Sequence, residues 1–384
     1  MAQGVPLSFH PREHRGPVKG RGSTSRMEHR FARDAREAFD DGWGDASYRR
    51  ADDDAAALSD GVPPMPISVP TSVRFEEVRS AISRNDSPDL GFDQTVNPYR
   101  GCEHGCIYCY ARPTHSYLDL SPGLDFETKL VARRNIAQVL RNEIAKPSYT
   151  CKEIVIGSVT DAYQPIEREH RITRSLLELM HETSHPFSIV TKSSAVERDL
   201  DLIVPMAQRG LCSIHITVTT LDADLARRLE PRAAAPWRRL KTIEVLASAG
   251  VPVCVSVAPQ IPFLNEDMEQ VLEATYQAGA RRAFYSVLRL PWELSPLFRE
   301  WLQQHHPQRA QRVMARVQDL RGGKDYNSRF DQRMKGQGIW AELLAQRFRT
   351  TCARLGFNRE RVTLRTDLFA PPSDAGQDVQ QRLF

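Results

Sequence analysis

Long apolar runs are missing from this chain. A bilayer span needs roughly 18 or more consecutive apolar residues, and stretches such as "VPVCVSVAP" at 251–259 stop far short of that. The N-terminus also lacks the apolar core of a secretory signal. Neither a membrane span nor export is expected, and the cytoplasm is the expected compartment. A surplus of one charge is lacking too: 52 Lys and Arg against 48 Asp and Glu leave a net charge of +4 over 384 residues. So small a balance does not call for a polyanionic partner, and any basic patch must be local. Cysteine is scarce and odd in number, seven in all, and Cys151, Cys212, Cys254 and Cys352 stand alone on mostly apolar stretches. That usage argues against a disulfide framework and for a reducing compartment.

What is present divides into three textures. Residues 1–88 are polar, with a basic segment "PREHRGPVKGRGSTSRMEHR", the acidic runs "FDDGWGDA" and "ADDDAAALSDG", and the Pro-rich piece "VPPMPISVP". Without a sustained apolar period this reads as a disordered or extended arm: a solvated tail in the plainer reading, an arm that binds substrate or partner in the sharper one. From about Asp93, short β-branched runs alternate with amphipathic helical patterns, which is the α/β signature. The strand candidates are Gln94–Asn97, Glu153–Gly157, Phe187–Thr191, Ser213–Thr219, Val253–Val257 and Ala283–Leu288. Between them Ile136, Val139, Leu140 and Ile144 share one helical face, as do Ile172, Leu176, Leu177 and Met180, and Ile243, Leu246 and Ala247. Parallel strands with crossover helices either close toward a barrel or stay an open doubly wound sheet. In both, functional groups gather at the C-terminal ends of the strands. After Pro291 the pattern is helical, with Leu297 to about Leu320 and Ile339 to Leu355 flanking the Gly-rich basic loop "RGGKDYNSRFDQRMKGQG".

The chemistry concentrates in "NPYRGCEHGCIYCYARPTHSY", where Cys102, Cys106 and Cys109 are spaced C-x3-C-x2-C directly after the first strand candidate. Two metal readings stand. Zinc would need a fourth ligand, such as His104 or His115, although structural zinc ligands usually come as two separated pairs. An iron–sulfur cluster held by three thiolates would leave one iron without a protein ligand and open to chemistry.

The C-x3-C-x2-C loop after the first strand of a βα array, with Tyr108 just before the last cysteine, resembles the radical S-adenosylmethionine (SAM) superfamily. The chain from about Asp93 to Leu290 is similar to its branch of spore photoproduct lyase-like and DNA repair photolyase-like proteins. The resemblance implies a [4Fe–4S] cluster on Cys102, Cys106 and Cys109, with SAM on the fourth iron. It also implies reductive cleavage of SAM to a 5′-deoxyadenosyl radical that abstracts hydrogen from a substrate. The cofactor carries that chemistry while the protein positions it.

The resemblance carries over to other strand ends, each with a plainer reading beside it. Ser158, Thr160 and Asp161 in "GSVTDAYQPIE" match the region of a SAM-contacting serine, though Thr160 and Asp161 are also ordinary turn residues. Lys192 in "SIVTKSS" matches a lysine that neutralises the SAM carboxylate; a strand-end lysine is otherwise simply solvated. Thr217 and Thr219 align with polar residues facing the cofactor, yet threonine is common in strands for packing reasons. Ala258 and Pro259 match an "AP" pair against adenine, and Pro259 also suits a strand terminus. The same family more often carries glycine where Phe263 stands. "RRLEPRAAAPWRRLK" resembles the corresponding lyase segment, its arginines reading either as a charged helix face or as a local site for an anion. Cys151, Cys212 and Cys254 read as small core residues. None of the lone cysteines aligns with the lyase's hydrogen-donor cysteine, and Cys352 remains a candidate for that role.

The fold expected is α/β: a partial (β/α)6 TIM-like barrel over 89–291, preceded by the arm at 1–88 and followed by a C-terminal helical extension over 292–384. The function expected is radical SAM chemistry on a substrate the residues do not identify. A damaged or modified nucleic acid is what the resemblance implies, and a flavodoxin or ferredoxin is the implied electron donor. The other classes left open are a zinc-stabilised binding module without turnover and an iron–sulfur redox sensor.

Overall fold

A computed structural model describes residues 18–31, 69–360 and 363–372. Ten strands are present among them: β1 Ser72–Glu76, β2 Ile82–Arg84, β3 Gln94–Val96, β4 Tyr99–Arg100, β5 Lys129–Arg133, β6 Ile154–Ile156, β7 Phe187–Thr191, β8 Cys212–Thr217, β9 Val253–Gln260 and β10 Arg282–Val287. The six strand candidates are β3 and β6 to β10. They run parallel in the order β3-β6-β7-β8-β9-β10, with β2 antiparallel on the outside of β3.

Spatial order follows chain order with no reversal. Right-handed crossovers then place successive helices on the same side of the sheet, which is the winding of a partial barrel and not of a doubly wound sheet with a switch point. The register aligns Val96, Ile156, Ile189, Ile214 and Val253 across five neighbouring strands. All five are buried, so a one-residue slip of any strand would turn its apolar side chain away from this row.

The helices bury the faces their periodicity marks. Ile136, Leu140 and Ile144 are buried on the helix Ile136–Ile144, and Ile172, Leu176, Leu177 and Met180 on Ile172–Thr183. Ile243 and Leu246 do the same on Pro236–Ser248. The expected helix from Leu297 to Leu320 is two helices, Leu294–His305 and Pro307–Asp319. Pro307 has no N–H to continue the first and keeps His306 out of helical geometry (φ −143°, ψ 52°). Phe298, Trp301, Val313 and Val317 from this pair share one apolar cluster with Cys106, Ile107 and Tyr108. The extension therefore seals one side of the cysteine loop, and burying a side chain like Ile107 contributes roughly 1.5–3 kcal/mol.

Two described pieces of the arm are packed and not free. β1 pairs with β5, and β4 with β5, in a separate three-stranded sheet, while β2 extends the large sheet. The folded part thus begins upstream of residue 89. Residues 18–31 form a strap with Arg21, Ser23 and Ser25 buried. The strap has polar side chains and no apolar period; hydrogen bonds hold it, which is why its composition read as a solvated tail. The runs "FDDGWGDA" and "ADDDAAALSDG" lie outside the described residues. No helix among the described residues is long and apolar enough to cross a membrane.

Candidate metal and cofactor site

The cysteine loop leaves the small sheet at β4 and is tied down from four directions. Cys102 N–H donates to the Phe126 carbonyl at 2.9 Å. The Gln164 side chain accepts from Glu103 N–H at 2.8 Å and donates to the Gly101 carbonyl at 3.3 Å, which Thr160 Oγ1 also reaches at 2.6 Å. Ile107 N–H donates to the Leu229 carbonyl at 3.0 Å, and Arg232 N–H to the His104 carbonyl at 3.2 Å. From below, the fully buried Arg112 donates to the carbonyls of Cys106 at 2.8 Å and Gly105 at 3.1 Å, and pairs with the equally buried Glu127 at 2.5 Å.

Glu127 in turn accepts from Gly22 and Ser23 N–H, both at 2.9 Å, and so joins the strap to the loop. Both glycines at this junction are required. A Cβ on Gly22 would lie 1.8 Å from the Gly105 carbonyl oxygen, and Gly105 itself has φ +67° with Glu127 Oε2 only 2.7 Å from where a Cβ would sit.

Cys102 and Cys106 are buried and Cys109 is half-buried. Burial pushes the Cys102 thiol well up, and the Asp161 carboxylate and the other two sulfurs push it further. Burial likewise raises Cys106 to about 12, with Lys192 opposing and Glu230 and Cys109 adding. The three sulfurs therefore sit within one another's electrostatic reach, in a pocket where only a cation would favour the thiolates.

Among the described residues no three His, Cys, Asp or Glu are grouped to hold a single metal ion. That is the arrangement a zinc reading requires; His104 and His115 each have one ring nitrogen bonded within the protein, His115 Nδ1 being buried without a partner, but neither joins the cysteines in such a group. His104 Nδ1 bonds Asp161 at 3.1 Å, and His115 Nε2 bonds the Lys129 carbonyl at 2.9 Å. A cluster takes one thiolate per iron, so its ligands surround a larger body; three neighbouring thiols on one loop fit it.

The strand ends place the other expected site residues around this loop. Asp161, after β6, accepts from Tyr163 N–H (2.9 Å), Thr191 Oγ1 (2.7 Å), Lys192 N–H (2.8 Å) and His104. Burial alone would raise its carboxyl, but His104 and these donors hold it well below the usual carboxylate range. With two donors on each oxygen its lone pairs are spent on the protein. Ser158 bonds the Asn97 side chain at 3.3 Å and remains half-buried.

Lys192 is also half-buried, its ammonium 5.8 Å from the Tyr108 ring centroid. Burial would lower its pKa, yet Cys106 and Glu230 raise it, so it stays a cation. Tyr108 hydroxyl meets Thr219 Oγ1 at 3.1 Å and donates to Glu230, which also accepts from Thr219 at 2.6 Å and from the buried Arg239. Burial opposes ionisation of Glu230, but Arg239, Lys192 and Thr219 hold it at about 2. Thr217 lends its carbonyl to Arg239 at 3.0 Å. Ala258 and Pro259, joined by a cis peptide, stand half-buried at the end of β9, where Asn265 holds the Pro259 carbonyl at 2.9 Å. Phe263 has φ +64°, the left-handed backbone that glycine adopts without cost.

Some functional groups were not legible. Arg112, Glu127 and Gln164 carried no signal beyond their charge or polarity, and Glu230 was covered only by the resemblance of "RRLEPRAAAPWRRLK" to the lyase segment. Several of the arginines read as a possible anion site are committed within the chain. Arg239 is buried against Glu230, Arg238 pairs with Glu197 at 2.7 Å, and in the basic loop Arg333 pairs with Asp89 and Arg329 with Asp331. Cys212 and Cys254 are buried in strands, and Cys352 is buried on the last helix, its thiol raised to about 11 by burial. Cys151, just before β6, is only half-buried.

The radical SAM superfamily model matches residues 96–275. An uncharacterized protein of Mycobacterium tuberculosis is 36% identical over 242 residues, covering 62% of this chain and 71% of that protein. An uncharacterized protein of Methanocaldococcus jannaschii is 27% identical over 238 residues, covering 62% and 86%. Among solved structures, a spore photoproduct lyase mutant with bound AdoMet and dinucleoside spore photoproduct aligns at TM-score 0.46 and 15% identity, covering 80% of this chain and 89% of that one. Streptococcus suis SuiB bound to S-adenosylmethionine aligns at TM-score 0.34 and 11% identity, covering 70% and 53%.

Proposed function

The chain belongs to the radical SAM superfamily, and from that premise we propose that Cys102, Cys106 and Cys109 hold its [4Fe–4S] cluster while the ends of β6 to β9 hold SAM. When bound, the two cofactors supply reductive cleavage of SAM to methionine and a 5′-deoxyadenosyl radical that takes a hydrogen atom from the substrate. The observation that carries the assignment is the set of three thiols on one loop, within one another's electrostatic reach, with Lys192 the cation acting on two of them.

Each residue then has a task. Lys192 neutralises the SAM carboxylate. Ser158 offers its hydroxyl to the polar groups of SAM, Thr160, whose O–H is given to the Gly101 carbonyl, fixes the cysteine loop beside it, and Ala258 and Pro259 lie along the adenine edge. Thr217 and Thr219 line the wall between. Asp161, with every lone pair already used, acts as a positioning residue that joins the ends of β6 and β7 to the cysteine loop. Tyr108 closes the pocket over the buried Glu230–Arg239 pair, and the apolar cluster around Trp301 keeps water from the loop.

The substrate we propose is a nucleic-acid lesion or modification, acted on in a lyase-like reaction in the cytoplasm, with a flavodoxin or ferredoxin as electron donor. The committed arginines give this no help, so oligonucleotide binding that falls steeply with salt is its necessary test.

The test of the cofactor assignment is anaerobic reconstitution with iron and sulfide, then SAM and dithionite, with 5′-deoxyadenosine read by mass spectrometry. Replacing all three cysteines by alanine should abolish both iron content and 5′-deoxyadenosine. A triple variant that keeps cleavage would overturn the assignment.

A further inference from the structure

Where β4, β5, the 3-10 helix Arg112–Leu118 and the loop after β6 meet, a cleft of about 300 Å³ is lined by Tyr99, Arg100, Thr114, Tyr117, Arg133 and Val159. Two guanidinium groups share one carboxylate there: Arg100 Nε lies 3.4 Å and Arg133 Nε 4.0 Å from Glu76 Oε2. Neither approach is a hydrogen bond. Arg100 Nε, Arg133 Nε and Glu76 Oε2 are all buried atoms without a hydrogen-bond partner, a condition that ordinarily costs stability unless a ligand or water completes it.

Arg133 donates from Nη1 to the Asn97 carbonyl at 3.1 Å, and among the described residues Glu76 is the one carboxylate that forms an ion pair with either arginine. Two cations against one anion leave a positive charge uncompensated. Burial, and then the Arg100 charge, lower the Arg133 pKa; an anion between them would reverse the second effect. Beside the pair, Tyr117 is 67% exposed. Its ring is nonetheless placed by the strap, with the Phe31 ring 5.2 Å away and the Arg30 guanidinium 5.2 Å from its centroid.

We propose that this cleft binds an organic oxyanion, a phosphate ester or a carboxylate, clamped by Arg100 and Arg133 with its organic part against Tyr117 and Val159. Guanidinium forks match the oxygens of both groups, and an exposed tyrosine ring offers a stacking face. The cleft is beside the chemistry: Arg100 is two residues before Cys102, and Val159 stands between Ser158 and Thr160. Its use as an anchor for the substrate rests on the cofactor assignment above; the binding itself does not.

Binding is therefore measured on the full chain without SAM, by calorimetry or ligand-observed NMR, with phenyl phosphate, benzoate, inorganic phosphate and phenol, none of which carries the adenine that the SAM site would take. The expected result is saturable binding of phenyl phosphate or benzoate and none of phenol, the tighter of the two identifying the oxyanion. Arg100→Gln should weaken it about 10-fold, the loss of one charged hydrogen-bonding partner. Tyr117→Ala, an exposed change that leaves the arginine pair in place, should weaken the organic ligands several-fold and leave inorganic phosphate unchanged. No saturable binding by either organic anion, phenol binding as well as its phosphate, or affinities unmoved by both variants would each overturn the proposal.

Discussion

Replacing Glu127 by alanine removes a buried carboxylate that ties the N-terminal strap to the cysteine loop. Its carboxylate is fully buried and accepts three hydrogen bonds, from Gly22 N–H, Ser23 N–H and Arg112. Arg112 is equally buried, so the variant leaves a guanidinium without its counter-ion in the interior, at a cost of about 3–5 kcal/mol. Two amides lose their acceptor besides, although the truncation leaves room for a water that would offset part of that. A loss of that size is a large share of the roughly 5–15 kcal/mol that holds a domain folded.

The site effect should be local as well, because Arg112 carries the carbonyls of Gly105 and Cys106. The matched control is Glu182→Ala, which breaks an ion pair with Arg141 whose carboxylate is 47% exposed and which is therefore expected to cost at most about 1 kcal/mol. Urea denaturation and iron content after anaerobic reconstitution read the two consequences. A Glu127→Ala protein within about 1 kcal/mol of wild type that still loads full iron would refute the clamp.

Two further outcomes follow from the same geometry. Gly22→Val drives a side chain into the Gly105 carbonyl, a backbone atom that cannot swing aside, and should lower iron retention and cost about 1–3 kcal/mol by overpacking; Gly91→Ala, where nothing lies within 4 Å of the new Cβ, should do neither. A valine variant that melts and loads like wild type would show that the strap is dispensable. Burial lowers His185 from its ordinary value to about 4 while its Nε2 meets Tyr149 at 2.7 Å, so the fold favours the neutral ring. Its contribution is present above pH 6.5 and lost as pH falls toward about 4, because the unfolded chain takes up the proton first. Between pH 7.5 and 5 that amounts to about 2 kcal/mol. His185→Gln should flatten the urea-measured slope over that interval, and equal slopes would exclude the histidine as its source.

The parts of this protein that were legible are those whose signal is local. β7 coincides with the expected Phe187–Thr191 because a buried parallel strand is a short apolar run with its neighbours supplied by the same pattern. Cysteine spacing needs only eight residues to be read. β1, by contrast, does alternate polar and apolar residues in "SVRFE", but over only five residues and on a mostly exposed strand, a signal too short to stand out from a polar arm. β4 is two residues long. Its pairing with β5 is a tertiary fact about residues some thirty positions on. The strap is the extreme case. Arg21, Gly22 and Ser23 are ordered by Glu127, which lies 104 residues or more away, and no window of sequence contains both partners. The break at Pro307 was different in kind, for the proline was visible; the apolar period running through it outweighed a breaker that should have decided the boundary.

Buried charge around the cysteine loop is better explained by position than by stability. Arg112 with Glu127, and Arg239 with Glu230, are almost wholly removed from water. Such pairs commonly add little net stability, since desolvating both ions costs about what their attraction returns. What each pair does fix is geometry. Arg112 holds the backbone of Gly105 and Cys106, while Arg239 holds the Thr217 carbonyl and orients Glu230 toward Tyr108 and Thr219. Because Glu230 is kept ionised, it raises the basicity of Lys192, and the half-buried ammonium remains charged at the ends of the strands. A dry pocket whose charges are set before any ligand arrives needs no reorganisation when charge develops in it. The buried pairs are thus best understood as the frame that holds the cysteine loop and keeps one cation, Lys192, within reach of two of its thiols.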